Sequence, residues 1–347
     1  MRNLLALLFG LLLSLILLEG FIRLAEGRLL TNAARWSDRP RYYFRPEASE
    51  TMQDYPISRP KKDDTFRLAV IGDSYTFAPY MQFTDPFPKV LERMLNLNAT
   101  SSRAEVINYG VPAYSTSHEI ATTDRAIRDE ADAILLQITL NDPEIKPYRP
   151  KGITVFDSFG GLKLTGWKGR ILKHWATGRL IATRIHNEKT RRDYIAYFNN
   201  LFTKPANWKN FESSMRSIVA KARSAQKPIF AAIFPLFGLP LDDSYPFFSC
   251  HEKVAALLRE LQVPHTDLFS LYKGIPLDRL QVMPGEDRHP NEIAHRMAAE
   301  HLYDWLVDEQ HAIPSQHVIR MRFMGRTRIV DELPYSPASA TGTTPSG

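Results

Sequence analysis

Two short stretches, far apart in the sequence, carry residues suited to nucleophilic catalysis. Ser74 follows Gly72 and Asp73 at the end of the short apolar run Phe66–Ile71, and His289 lies within Asp287-Arg-His-Pro-Asn291. A serine hydroxyl is a weak nucleophile until a base within hydrogen-bond reach takes its proton. An imidazole, with an ordinary pKa of about 6.5, suits that task, and a carboxylate on its other nitrogen fixes the tautomer and stabilises the imidazolium. Asp287 is read as that carboxylate, with Glu286 as the alternative acid. Gly72 permits a tight turn, so the Ser74 N–H could also donate to a developing oxyanion. Alone, Gly-Asp-Ser is a polar turn and a single histidine before a helix is a surface or capping residue. Their joint placement at the mouth of one sheet is what makes them a site.

The elements that must position these groups alternate. Phe66–Ile71 reads as a buried strand, Pro88–Leu97 has helical spacing, and Val106 with Ile107 marks a second strand. Ser117–Glu130 reads as a helix, Ala131–Leu140 as a third strand, Phe211–Ala225 as a helix and Pro228–Phe234 as a strand. Cys250–Leu261 and Asn291–Val307 complete the series as helices. Strands separated by helices imply a parallel sheet covered on both faces, so the expected fold is α/β, a flavodoxin-like doubly wound parallel sheet. Active groups in such sheets cluster beyond the carboxyl ends of the strands. No internal repeat is present.

Taken in order on these elements, the motifs resemble the SGNH (GDSL-type) hydrolases, which carry four short blocks on a flavodoxin-like sheet. Gly72-Asp-Ser74 resembles the nucleophile block, Asn108-Tyr-Gly-Val-Pro112 the glycine block through Gly110, and Leu140-Asn-Asp142 the asparagine block through Asn141. The fourth block is the one around His289. The resemblance covers residues 66–142 and 281–308, with the middle unmatched. It implies that the Ser74 and Gly110 amides and the Asn141 side chain form the oxyanion hole. It also implies a carboxylic ester hydrolase or O-acyltransferase without cofactor or metal. A common family pattern has aspartate three residues before the histidine, where this chain has Glu286; other members have it two before, where this chain has Asp287. The Asp-x-His-Pro-Asn form with an N-terminal membrane segment favours Asp287. Two departures touch the loops: Ala78 and Thr139 stand where many relatives have glycine.

The N-terminus is apolar from Leu4 to Leu18 except for Gly10 and Ser14, and Phe21, Ile22 and Leu24 extend the run past Glu19. A spanning helix needs about 20 residues, no small-x-small cleavage site follows, and no cysteine stands where a lipoprotein needs one. Residues 1–24 are therefore read as a membrane anchor in preference to a cleaved signal, and the catalytic domain as extracytoplasmic (periplasmic). Residues 25–65, broken by Pro40, Pro46, Pro56 and Pro60, form a juxtamembrane connector, 66–310 the catalytic domain, and 311–347 a basic segment and flexible tail.

The 347 residues carry a formal charge of +6, which favours anionic partners without choosing among them. Within a basic insertion at residues 146–192, Lys163, Lys168, Arg170, Lys173, Arg179, Arg184, Lys189, Arg191 and Arg192 are interleaved with Trp167, His174 and Trp175. This insertion has two readings: a cover that holds anionic or carbohydrate substrate, and a basic face near the membrane. The single Cys250 excludes an internal disulfide and is read as packed. His295 has no ligand set around it for zinc, no phosphate loop is present, no nucleic-acid module accompanies the charge, and Asn98-Ala-Thr is a weak glycosylation match. The expected function is transfer or cleavage of acetyl or other short acyl esters on envelope carbohydrate or glycolipid. The alternatives are a lipase or thioesterase on lipid acyl esters and a non-catalytic envelope-assembly protein of the same fold.

Overall fold

The computed structural model describes residues 2–37, 54–97, 103–145, 166–283, 287–314, 321–324 and 327–330. Helix α1 (Arg2–Ser37) opens the chain, followed by β1 (Thr65–Gly72), α2 (Ser74–Phe77), α3 (Phe87–Leu95), β2 (Arg103–Gly110), α4 (Thr116–Arg128) and β3 (Ala133–Ile138). Next come α5 (Gly166–His174), α6 (Ala176–Thr203), α7 (Pro205–Ser224), β4 (Ile229–Ile233), α8 (Phe248–Glu260), β5 (His265–Asp267) and α9 (Phe269–Tyr272). A hairpin of β6 (Gln281–Met283) and β7 (Asp287–Pro290) leads into α10 (Glu292–Asp304), and β8 (Met321–Met324) pairs with β9 (Thr327–Val330).

Five strands form one sheet in the order β2-β1-β3-β4-β5, and every pairing is parallel. This is the doubly wound flavodoxin-like order, with its switch point between β1 and β3. All eight residues of β1 and all six of β3 are buried, as expected of strands covered on both faces. Each fully buried aliphatic side chain there contributes about 1.5–3 kcal/mol. The register aligns Gly72 with Gly110, so β1 and β2 end level and their following loops leave the sheet at the same edge.

Several boundaries differ from the sequence reading for physical reasons. Helix α1 runs on past the apolar stretch to Ser37, into the segment read as a connector. Within it, Asn3–Ala25 is long and apolar enough to cross a membrane. The basic insertion contains two helices, α5 and the 28-residue α6; its first part, with Lys163, lies outside the described residues, as does Asn98. The short edge strand β5 is only half-buried and carries no apolar run to announce it.

Candidate active site

Ser74 begins α2 directly at the carboxyl end of β1. The turn is tight enough that a Cβ on Gly72 would lie 2.4 Å from both Gln137 Oε1 and Thr76 Oγ1. Asp73 caps the short helix through its Oδ1, which accepts from Tyr75 N at 2.8 Å. As the first helical residue, Ser74 has an N–H with no intrahelical acceptor, which leaves it available to an incoming oxygen.

His289 reaches Ser74 from a different part of the fold, on β7 of the hairpin. Its Nε2 is 2.9 Å from Ser74 Oγ, and its Nδ1 is 2.6 Å from Asp287 Oδ1. The same Asp287 oxygen accepts from the His289 backbone N–H at 2.9 Å. Two residues apart on one strand, Asp287 and His289 face the same side. Glu286, the alternative acid, lies outside the described residues. Burial raises the Asp287 carboxyl, but the hydrogen bonds and charge of His289 outweigh it and hold the net pKa below the usual range. Asp287 is thereby kept ionised, as the partner of an imidazolium must be.

Asn291 fixes the hairpin. Its Oδ1 caps α10 by accepting from Ile293 N and Ala294 N at 3.0 and 3.1 Å, and its Nδ2 donates to the Arg279 carbonyl at 2.9 Å. The Tyr75 ring meets the His289 ring edge-on at 5.7 Å between centroids. Between Asp287 and His289, Arg288 points the other way and lays its guanidinium over the Tyr194 ring of α6, 5.2 Å from its centroid.

The two other groups expected to line an oxyanion hole are placed differently. Asn141 follows β3, and its Nδ2 donates to Asp73 Oδ2 at 3.0 Å, leaving one amide hydrogen for a ligand. Gly110, in contrast, has its N–H engaged: it donates to Asn108 Oδ1 at 2.9 Å. To act as an oxyanion donor Gly110 must share or release that bond. Its lack of a side chain has a visible steric reason, since a Cβ there would lie 2.2 Å from Phe77 N and 2.6 Å from the Thr76 carbonyl carbon. Only glycine lets α2 rest on β2, and Asn108 Nδ2 completes the contact by donating to the Thr76 carbonyl at 2.9 Å.

Thr139 and Ala78, the departures noted above, also have defined roles. Thr139 Oγ1 donates to Asp73 Oδ2 at 2.8 Å beside the Asn141 side-chain oxygen. Ala78 ends α2 at φ 57°, the left-handed region that favours glycine. Two further carboxyls lie behind Asp73, and of these only Glu119 carried no signal in the sequence. Asp142, which Thr139 N approaches at 2.9 Å, and Glu119 of α4 are both fully enclosed. Burial and then the Asp73 charge push Glu119 up to about 8. Burial, followed by Glu119 and Asp73, raises Asp142 well above its ordinary range.

The remaining sequence candidates pack. His295 is buried, accepts from Phe87 N at 3.1 Å and stacks on the Phe87 ring. Burial and His289 push its imidazole down to about 3. Cys250 is buried with its thiol raised to about 11 by that burial, unlike a reactive thiol.

No family model matches this chain, and none of the curated proteins matches it. Among solved structures, the chain is similar to an acetyl xylan esterase (12% identity, 69% of this chain and 98% of that one, TM-score 0.44). It is also similar to a psychrotrophic esterase from Pseudoalteromonas sp. (14%, 72% and 100%, TM-score 0.42). A third is AlinE4, an SGNH-hydrolase family esterase (12%, 73% and 100%, TM-score 0.36). Likeness at this level transfers no residue role, and the chemistry of the site stands on its own contacts.

Proposed function

We propose that this chain is a membrane-anchored serine esterase or O-acyltransferase of the SGNH type, acting on acetyl or other short acyl esters of envelope carbohydrate or glycolipid. The observation that carries this reading is the continuous hydrogen-bonded chain from Ser74 Oγ through His289 to Asp287. In the proposed reaction, His289 Nε2 takes the Ser74 proton as Oγ attacks the ester carbonyl. The tetrahedral oxyanion is met by the Ser74 N–H and the free amide hydrogen of Asn141, with Gly110 joining if Asn108 yields. Collapse expels the alcohol, which receives the proton from His289, and leaves an acyl-Ser74 ester. Water or a second hydroxyl, deprotonated by the same histidine, then releases the acyl group. Hydrolysis and transfer differ only in that last acceptor.

Retention of the N-terminal helix as an anchor is supported by its contacts. Glu19 accepts from Ala176 N, Thr177 N and Thr177 Oγ1, each at 2.8 Å, at the N-terminal turn of α6. Cleavage beyond that point would strip α6 of this acceptor. The reading is tested by fluorophosphonate labelling of the full chain in detergent, followed by small acetyl esters. Labelling that vanishes in Ser74→Ala and in His289→Ala supports it. A well-folded wild type that neither labels nor cleaves a small ester refutes it.

A further inference from the structure

The catalytic site makes no use of the surface formed by α5 and the first turns of α6. There, Trp167, Ile171, Trp175, Leu180, Ile181 and Ile185 are each at least 50% exposed. One exposed apolar residue needs no explanation, but six within twenty residues mark an interaction surface. On α6, Leu180, Ile181 and Ile185 share a face with Arg184, and Arg170 and Lys173 are exposed on α5. Large aromatic and aliphatic groups interleaved with cations are the chemistry of a lipid headgroup boundary.

The position of this surface identifies its occupant. Glu19, which accepts from the start of α6, also pairs with Arg23 at 2.8 Å, and Arg23 donates to the His174 carbonyl at the end of α5. Both residues belong to the last two turns of the apolar stretch Asn3–Ala25. The α5–α6 junction therefore sits beside α1 at the point where α1 would leave the hydrocarbon. At the same level Leu17, Phe21 and Leu24 of α1 are more than 60% exposed. Further along α6 the character changes: Glu188, Lys189, Arg191, Arg192 and Asp193 are exposed, while Tyr194, Phe198, Leu201 and Phe202 pack into the core.

We propose that α5 and the first three turns of α6 form a second membrane contact, with Trp167, Trp175 and the isoleucines in the bilayer interface and Arg170, Lys173 and Arg184 on anionic lipid phosphates. This inference rests on the anchor part of the reading above and not on Ser74 chemistry. Basic residues beside a bilayer are drawn to an anionic surface, so lipid charge is expected to matter.

The test uses the full chain in a Trp36→Phe background, reconstituted into nanodiscs of phosphatidylcholine alone or with phosphatidylglycerol, with acyl chains brominated near the headgroup. Trp208 and Trp305, half-buried and buried in the catalytic domain, supply the unquenched reference. Bromine is expected to remove most Trp167 and Trp175 emission, more completely with phosphatidylglycerol. The Ile171→Ser, Ile181→Ser and Ile185→Ser triple variant is expected to restore that emission while fluorophosphonate labelling stays unchanged. A Phe9→Trp variant reports α1 separately. Quenching of the indole introduced in α1 without quenching of Trp167 and Trp175 overturns the second contact while leaving the anchor. Quenching of none overturns both, and quenching indifferent to phosphatidylglycerol overturns the anionic part. Labelling of Ser74 is read on the same samples, so failure of the esterase reading is seen separately.

Discussion

Asp73 Oδ2 accepts the Asn141 side-chain amide at 3.0 Å, so the residue beside the proposed nucleophile also aims a proposed oxyanion donor. The same carboxylate caps α2 and receives the Thr139 hydroxyl. In Asp73→Asn a single side-chain oxygen can serve only one of these directions. The kcat for a small acetyl ester should fall about 10- to 100-fold, as expected when a donor is mispositioned by an ångström or less. Removing a charge beside Glu119 and Asp142 should leave the denaturation midpoint unchanged or higher. A parallel loss of fold would instead give Asp73 a purely structural role.

Asp287 and Glu286 are separable by paired substitutions. Asp287→Asn keeps the size of the side chain but leaves His289 Nδ1 without an anionic partner. The kcat should drop by about 10³ to 10⁴-fold, whereas Glu286→Gln should change it less than about threefold. The opposite ranking in steady-state kinetics would transfer the acid role to Glu286.

Gly110→Ala tests the close seat of α2 on β2. Its Cβ would meet backbone rather than a flexible side chain, so the helix carrying Ser74 must shift. A loss of about 1–3 kcal/mol in urea denaturation is expected, with slower fluorophosphonate labelling. Wild-type stability and labelling rate would show that the seat is less tight than these contacts require.

Glu119 gives a signature on the alkaline side. The folded chain holds its proton more tightly than the unfolded chain, with a pKa of about 8 against the ordinary 4.5. Its contribution to stability is therefore fully present below about pH 4.5 and lost as pH rises through about 8. Glu119→Gln should remove that loss, raising the urea midpoint at about pH 9 relative to wild type while matching it near pH 5. Parallel profiles for the two proteins would count against a buried neutral carboxyl.

The sheet and the grouping of Ser74, His289 and Asp287 were legible because their signals are local. An apolar run ending in Gly72-Asp73-Ser74 places a serine at a strand end, and Asn291 two residues after His289 announces the cap of a helix. Other features depend on tertiary contacts. His289 lies on β7, whose four residues pair with a three-residue β6 that no apolar run announces. Helix α6 escaped because only its last turns bury an apolar face, while its first turns are exposed and its middle is charged. The enclosed trio of Asp73, Glu119 and Asp142 comes from three separate segments, and no spacing rule joins them. Gly110 was read as a donor, but its nearest neighbours show that sterics also demand glycine there.

Truncation is the usual first step in preparing a protein of this kind, and α6 shows what that step would disturb. Thr177 at one end of the rod is held by Glu19, and Tyr194, about 26 Å along the same axis, carries Arg288 on the strand that holds His289. A soluble version beginning after α1 would leave this strut loose at its far end. Any ester turnover it showed would then come from a loosened hairpin, and comparison with the intact chain would measure how much α1 contributes to the alignment of His289 with Ser74.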